Sequence, residues 1–374
     1  MFLESLKLSN FRNYEHADIK FDKNINIILG DNANGKTNIL ESIYVLALTK
    51  SHRYAGDNEL VKYNEKEYGI KGELYKENLK NELKIFYKEN KKEYYIDSNI
   101  IKKVNDYIST MNIILFCPDD IELIKSGPEI RRKYLNDEIS QLYPMYYKIN
   151  QDFSKILRVR NELLYKINKK EVVDMNYFNI VTDYFIEKSL FIYFARNKYL
   201  KKLKENSSKI YINLMQKKKF DINYVINFES DIEDKEKFKE DFKIKLKSNI
   251  KEEIKNGTTL FGPHRDNFEF ILEGKNLKNY GSQGQQKMAV LVIKISEIEL
   301  FYKQNYEYPI LLLDDVFSEF DEIRRKKILK YIENKVQTII TTTDLENLKE
   351  MDISKYKIYH ARNGKITEVQ NGKK

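Results

Sequence analysis

The chain has 374 residues, 41% of them hydrophobic and 33% charged, which suits a folded globular protein and excludes a disordered one. Its 66 Lys and Arg against 57 Asp and Glu give a formal charge of +9, which invites a polyanionic partner without identifying one. No run nears the roughly eighteen apolar residues of a membrane span, the N-terminus reads unlike a secretion signal, and the lone Cys117 can form no internal disulfide, so a cytoplasmic protein away from membranes is expected.

In chain order, Phe2, Leu6 and Leu8 fall at even spacing and 17–21 alternates again, predicting two strands. A third apolar run, Ile25–Leu29, leads directly into Gly30. Ile39, Ile43, Leu46 and Ala47 then recur at three and four, predicting a helix over 38–48. Three antiparallel strands are expected at 68–74, 83–87 and 93–97, parted by polar turns such as Lys88–Lys92. From about 120 to 255 the period is helical, as in Ile149, Phe153, Ile156, Leu157, Leu163 and Leu164. The lysine-rich stretches 217–219 and 231–247 read as solvated faces or loops. Strand and helix alternate again from 258, with apolar strands at 309–313 and Thr338–Thr342.

The junction between the third strand and the first helix carries chemistry. Gly30, Asp31, Asn32, Ala33, Asn34, Gly35, Lys36 and Thr37 match G-x-x-x-x-G-K-[ST] at every fixed position. Such a loop turns its backbone N–H groups inward around phosphate oxygens, and the helix opening near Asn38 adds the positive end of its dipole. Lys36 reaches the β- and γ-phosphates of ATP, and the Thr37 hydroxyl suits Mg²⁺. A second element should supply acid groups. Asp314 and Asp315 stand at the end of the apolar run Ile310, Leu311, Leu312, Leu313, where open α/β sheets bind ligands. Asp314 is expected to hold Mg²⁺, and Asp315 to polarise the attacking water.

Ser282, Gln283, Gly284 and Gln285, placed before an apolar helix over 288–300, resemble the signature loop of ABC-type ATPases. Ser282 can cap that helix, and Gly284 permits close backbone approach to a phosphate. Ser318, Glu319, Phe320 and Asp321 resemble the D-loop of the same superfamily. Thr341, Thr342, Thr343 and Asp344 stand where many of its members carry a switch histidine, which this chain lacks. In that superfamily the signature loop meets the γ-phosphate held by the opposite subunit, so the resemblance implies an ATP-dependent homodimer.

The long separation between Thr37 and Ser282 resembles the split ATPase heads of the SMC-like branch, and in particular the RecF family. Further matching stretches run from Leu8 to Tyr14, through Ser51, His52 and Arg53, and through Gly127, Pro128, Arg131, Arg132 and Leu135. Arg160, Asn161 and Glu162 follow, then Gly262, Pro263, His264, Arg265 and Asp266. Two positions depart from the family: Asn136 where Asp is usual, and Phe320 where Leu is usual.

The resemblance implies an α/β fold: an ABC-type P-loop ATPase head with an antiparallel β subdomain and an inserted helical subdomain. Its expected segments are 1–119, 120–257 and 258–374. It also implies a role in replication, recombinational gap repair and the SOS response, through binding of ATP and of DNA, single-stranded and duplex, at junctions or gaps. ATP hydrolysis would be slow and serve as a switch, and RecO and RecR would be partners in loading RecA. Arg12, His52, Arg53, Arg131, Arg132, His264, Arg265 and Asp321 are the polar groups to examine as DNA or switch contacts. For each of the basic ones a structural salt bridge is the competing reading. Another SMC-like head would need a much longer heptad insertion, which is absent. A DNA-binding scaffold with ATP as mere glue would not need Asp314 and Asp315.

Overall fold

The computed structural model describes residues 1–369 apart from 54, 78, 216–218 and 349–351. It divides into two compact units, Met1–Asp120 with Leu291–Lys374, and Ile121–Val290. Among the described residues no helix is long and apolar enough to cross a membrane.

The first unit begins with strands β1 (Phe2–Phe11), β2 (Tyr14–Lys20) and β3 (Ile25–Leu29), followed by the helix Lys36–Leu48. Strands β4 (Glu67–Lys76), β5 (Leu79–Lys88), β6 (Lys91–Ile96), β7 (Asn99–Ile100) and β8 (Ile113–Phe116) come next. The second unit contributes β9 (Phe220–Val225), β10 (Asn267–Leu272) and β11 (Lys275–Asn276). The chain returns to the first unit with β12 (Ile310–Asp314), β13 (Thr338–Thr342), β14 (Lys357–Arg362) and β15 (Lys365–Val369).

Two six-stranded sheets build the first unit. One is antiparallel, in the order β2-β1-β4-β5-β6-β7. Its β5–β6 turn places Glu89 at φ 49 and Asn90 at φ 62, the paired positive values of a tight two-residue hairpin. The other sheet runs β15-β14-β3-β13-β12-β8, parallel throughout except for β15. Its central strands are buried on both faces and therefore read as unbroken apolar runs, such as Ile310–Leu313 in β12. The Gln337 amide ties the two sheets by taking a bond from Leu3 N at 2.7 Å and giving one to Leu3 O at 2.8 Å. Because β13 lies between β3 and β12, Thr342 sits beside Leu29 and Thr341 beside Asp314. That order sets the geometry of the site.

The second unit packs the helices Pro128–Leu142, Pro144–Asn168, Met175–Met215, Lys235–Ser248 and Ile250–Asn256 with the small sheet β11-β10-β9. Pro128 and Pro144 each stand at a helix start, where a missing N–H costs nothing. Two expectations need correction. The stretch 231–247 is mostly the helix Lys235–Ser248, capped by Asp234 and buried through Phe238, Phe242 and Leu246 at four-residue spacing. Dense charge on the other face hid that stripe. The region 120–257 is not wholly helical, since β9 crosses it and pairs along its length with β10. That pairing draws Asn267–Leu272 into the second unit, while Leu291–Lys374 groups with Met1–Asp120. Positions 217 and 218 lie outside the described residues.

Candidate active site

Each part of the phosphate loop has a local cause. A Cβ at Gly30 would lie 2.4 Å from the Ala361 carbonyl oxygen of β14, so only glycine lets the loop leave β3 there. Gly35 has φ 94, in the left-handed region, and a Cβ on it would meet the Asn13 amide at 2.4 Å. The loop is braced from outside by the Asn363 N–H, which donates to Asn34 Oδ1 at 3.3 Å, and by Tyr14 OH, which donates to Gly35 O at 3.3 Å. Asn38 donates from Nδ2 to Asn13 Oδ1 at 2.8 Å. Lys36, 7% exposed, donates from Nζ to the Gly30 and Asp31 carbonyls at 2.6 and 2.9 Å. Burial draws its pKa below the usual lysine value against the pull of Asp315, Asp314 and Asp31.

The acid pair stands at the carboxyl end of β12. Asp314 is buried, and its Oδ1 accepts from Thr37 Oγ1 at 3.1 Å and from Thr341 Oγ1 at 2.6 Å. Asp315 takes φ 50, which turns its side chain out of the strand direction. Its Oδ1 is buried with no hydrogen-bond partner. Burial, reinforced by Asp314 and Glu319 and opposed by Lys36, holds its pKa above the usual carboxylate range. Buried polar atoms are nearly always paired, so an orphan acceptor in a phosphate site is a candidate for chemistry. The donors here are hard oxygens: one hydroxyl and one carboxylate beside a phosphate loop. That set fits Mg²⁺, which is commonly held by one or two carboxylates together with substrate phosphates. Among the described residues no group of three or more His, Cys, Asp or Glu forms a separate metal cage.

Two contributors were not anticipated. Thr341 belongs to the strand end where many ABC-type ATPases carry a switch histidine, and its bond to Asp314 is not readable from that position. Glu41, on the first helix, is fully buried and accepts from Arg12 Nε at 2.9 Å, Arg12 Nη2 at 2.7 Å and Ser51 Oγ at 2.6 Å. The available signal was a lone carboxylate between apolar neighbours on an otherwise buried helix. Burial pushes the Glu41 pKa up, but its bonds from Arg12 and Ser51 prevail and leave it below the usual value. Arg53 lies 3.9 Å from Glu41 and donates to Asn38 Oδ1 at 3.2 Å, with its side chain 42% exposed. The Arg12 guanidinium is thus committed to Glu41 and the Glu59 carbonyl, while Arg53 keeps an open face. The His52 ring packs edge-on against Tyr44.

Replacing Glu41 with Gln is expected to cost about 1.5–3 kcal/mol, the range for hydrogen bonds to a charged group. Because the folded pKa lies below the ordinary glutamate value, the carboxylate stabilises wild type fully above that ordinary value. The contribution is lost as pH falls through the depressed folded pKa. Urea unfolding between pH 3 and 7 should therefore show an acid limb that is weaker in Glu41→Gln.

The D-loop position Asp321 caps the helix Glu322–Ile332 by accepting from Arg324 N at 2.9 Å, and Ser318 Oγ donates to Asp315 O at 2.7 Å. Phe320 packs on Phe116 with ring centroids 6.2 Å apart, so the departure from leucine fills an apolar contact.

In the second unit, Ser282 and Gln285 form a reciprocal capping box at the start of the helix Gln283–Asn305. Ser282 N donates to Gln285 Oε1 at 2.8 Å, and Gln285 N donates to Ser282 Oγ at 3.3 Å. A Cβ at Gly284 would meet nothing within 4 Å, so packing within the chain does not require glycine there. Arg131 is buried and spends its guanidinium on Asn267 Oδ1 and on the Leu123 and Ser126 carbonyls. Arg132 donates to Asp266 O at 2.8 Å. His264 contacts Thr259 O at 3.2 Å, and burial pushes its pKa down to about 4, so it is neutral near pH 7. Arg265 is exposed. Asn136 accepts at Oδ1 from Tyr146 OH at 2.7 Å and Arg196 Nη2 at 3.0 Å, bonds a carboxylate oxygen would also accept.

Parallel sheet, phosphate loop and acid pair together define an ABC-type P-loop ATPase head. The family model described as RecF/RecN/SMC N terminal domain matches residues 2–367. The DNA replication and repair protein RecF of Ligilactobacillus salivarius is 37% identical over 370 residues, covering 98% of each chain. That of Bacillus mycoides is 38% identical over 369 residues, again covering 98% of each. A solved structure described as the recombination mediator protein RecF with ATP, in the RecFOR pathway, superposes with TM-score 0.91 at 32% identity, over 99% of this chain and 98% of that one. An Smc head bound to the C-winged helix domain of ScpA shares the fold, with TM-score 0.57 at 15% identity, over 99% of this chain and 98% of that one. The chain belongs to the RecF family.

Proposed function

We propose that this protein is an ATP-dependent DNA-binding switch of DNA replication and recombinational repair, which binds MgATP at the loop 30–37 and dimerises through it. The observation that carries the reading is the convergence of Lys36, Thr37, Asp314 and the unpartnered Asp315 oxygen at the carboxyl ends of β3 and β12. Lys36 and the loop N–H groups bind the phosphates, and Thr37 with Asp314 would hold Mg²⁺. Held by those two residues, the ion would supply positive charge to offset the negative charge that develops during phosphoryl transfer. Asp315 takes up the attacking water and orients it, acting as acceptor for its proton.

Ser282 and Gly284 supply the dimer half of the reading. A glycine that the chain's own packing does not require, next to an exposed Ser282, suits close approach by the phosphate held on a second subunit. Ser282→Arg is expected to leave ATP binding by the monomer intact and to weaken the ATP-driven dimer at least about tenfold, the effect of roughly 1.4 kcal/mol. Light scattering with ATP checks this, and a persistent dimer removes the role of Ser282. Relatives described as DNA replication and repair proteins support DNA as a partner, and those described as recombination mediators in the RecFOR pathway support RecO and RecR; action ahead of RecA loading in the cytoplasm completes the proposed reading. Among the arginine candidates, Arg53 and Arg265 are exposed and open to phosphate contacts, which would make DNA binding steeply salt-dependent. Sedimentation of the purified protein with and without ATP and gapped DNA tests the reading as a whole. A monomer that ignores both would overturn it.

A further inference from the structure

We infer that Thr341 is a positioning residue that sets both acid groups of the ATP site through one buried hydroxyl. The inference rests on the ATPase reading above and extends it to a residue on a strand that carries neither the phosphate loop nor the acids.

The sheet order brings it there. β13 lies between β3 and β12, and its Thr341 is in register with Asp314. Thr341 is 1% exposed, so its hydroxyl must find its bonds inside the protein. Oγ1 donates to Asp314 Oδ1 at 2.6 Å and accepts from the Asp315 N–H at 3.1 Å. A hydroxyl has one donor and two acceptor positions, and this one uses them in opposite directions on consecutive residues. The donated bond fixes the rotation of the Asp314 carboxylate on the oxygen that Thr37 also contacts. The accepted bond holds the Asp315 N–H at the point where the backbone turns to φ 50, the turn that aims the Asp315 side chain.

The Asp315 N–H also meets the Thr341 carbonyl at 3.2 Å, so the register of the two strands does not depend on the hydroxyl. Strand pairing would bring the strands together with any residue at 341. Only a hydroxyl adds the direct bond to the Asp314 carboxylate and a second acceptor for the Asp315 N–H. Valine, of nearly the same shape, would preserve the buried strand and remove that steering.

Groups that orient a metal-binding carboxylate typically affect metal affinity or activity by about 10–100-fold. Thr341→Val should therefore raise the Mg²⁺ concentration for half-maximal binding of a fluorescent ATP analogue by about tenfold or more, with analogue affinity in EDTA changed little. ATP turnover at saturating Mg²⁺ should fall, and Thr341→Ser should recover most of both losses. A thermal melt checks that each variant is folded, and Thr341→Cys replaces the valine variant if that one is not. An unchanged Mg²⁺ requirement in Thr341→Val overturns the inference. So does a serine variant as impaired as the valine one, because the methyl group and its packing would then be what matters. Wild type and Lys36→Met run alongside. Analogue binding by wild type that is lost in Lys36→Met shows the ATP site is sound, so that a failure at Thr341 stands alone. Wild type that binds no analogue overturns both readings.

Discussion

Asp315→Asn is expected to lower ATP turnover by about 10²–10⁴-fold, the usual contribution of a positioned general base, while leaving ATP affinity close to that of wild type. The residue is suited to the comparison because its backbone has φ 50, a conformation asparagine adopts as readily as aspartate. The fold and the turn after β12 should survive the change. What is lost is the carboxylate whose Oδ1 is buried without a partner beside Lys36 and Asp314. Asp314 keeps its bonds from Thr37 and Thr341, so the group proposed for Mg²⁺ is untouched. Single-turnover hydrolysis beside equilibrium ATP binding separates the two roles. Turnover at the wild-type rate would move the catalytic role to another residue. A parallel loss of ATP affinity would make Asp315 a binding residue instead. If ATP holds the dimer and hydrolysis releases it, the same variant should stay dimeric on DNA for longer.

The phosphate loop and the acid pair were legible in the sequence because local rules define them. Gly30 and Gly35 are required by a close approach and a positive φ, and Ile25–Leu29 and Ile310–Leu313 could only be strands buried on both faces. The hairpins of β4, β5 and β6 were legible for the same reason, through alternation ending in polar turns. What escaped is non-local. Nothing near Glu41 in the sequence says that Arg12 and Ser51 will close on it, and nothing near Thr341 says that β12 will lie alongside. The strand β9 is short and flanked by lysine-rich stretches, and its partner β10 lies more than forty residues further along the chain. Periodicity reports each element alone, while a unit is defined by which elements pair.

The second unit holds the other large expected effect. Arg196→Met should destabilise that unit by about 3–5 kcal/mol, the cost of removing one partner of a buried ion pair. Arg196 is 3% exposed and bonds through Nη1 to both Asp266 oxygens, at 2.6 and 2.7 Å, and to Pro263 O at 2.6 Å. Its Nε donates to Tyr146 OH at 3.2 Å and its Nη2 to Asn136 Oδ1 at 3.0 Å. One guanidinium therefore ties two helical residues, Asn136 and Tyr146, to the turn at 263–266, which leads into β10. Without it, the Asp266 carboxylate keeps the Tyr224 hydroxyl, while Arg132 bonds the Asp266 backbone oxygen, and a carboxylate 1% exposed cannot turn to water. The charge must then be neutralised by taking up a proton, or the turn must open. The double variant Arg196→Met with Asp266→Leu tells these costs apart. Buried pairs replaced together by apolar groups of similar size are often neutral or even stabilising. Recovery of stability in the double variant, measured by urea unfolding, would assign the loss to an uncompensated charge. Failure to recover would assign it to the bonds that Arg196 makes with Pro263, Tyr146 and Asn136. A loss below about 1 kcal/mol in the single variant would show that the cluster does not hold the turn, since that is the level of exposed ion pairs.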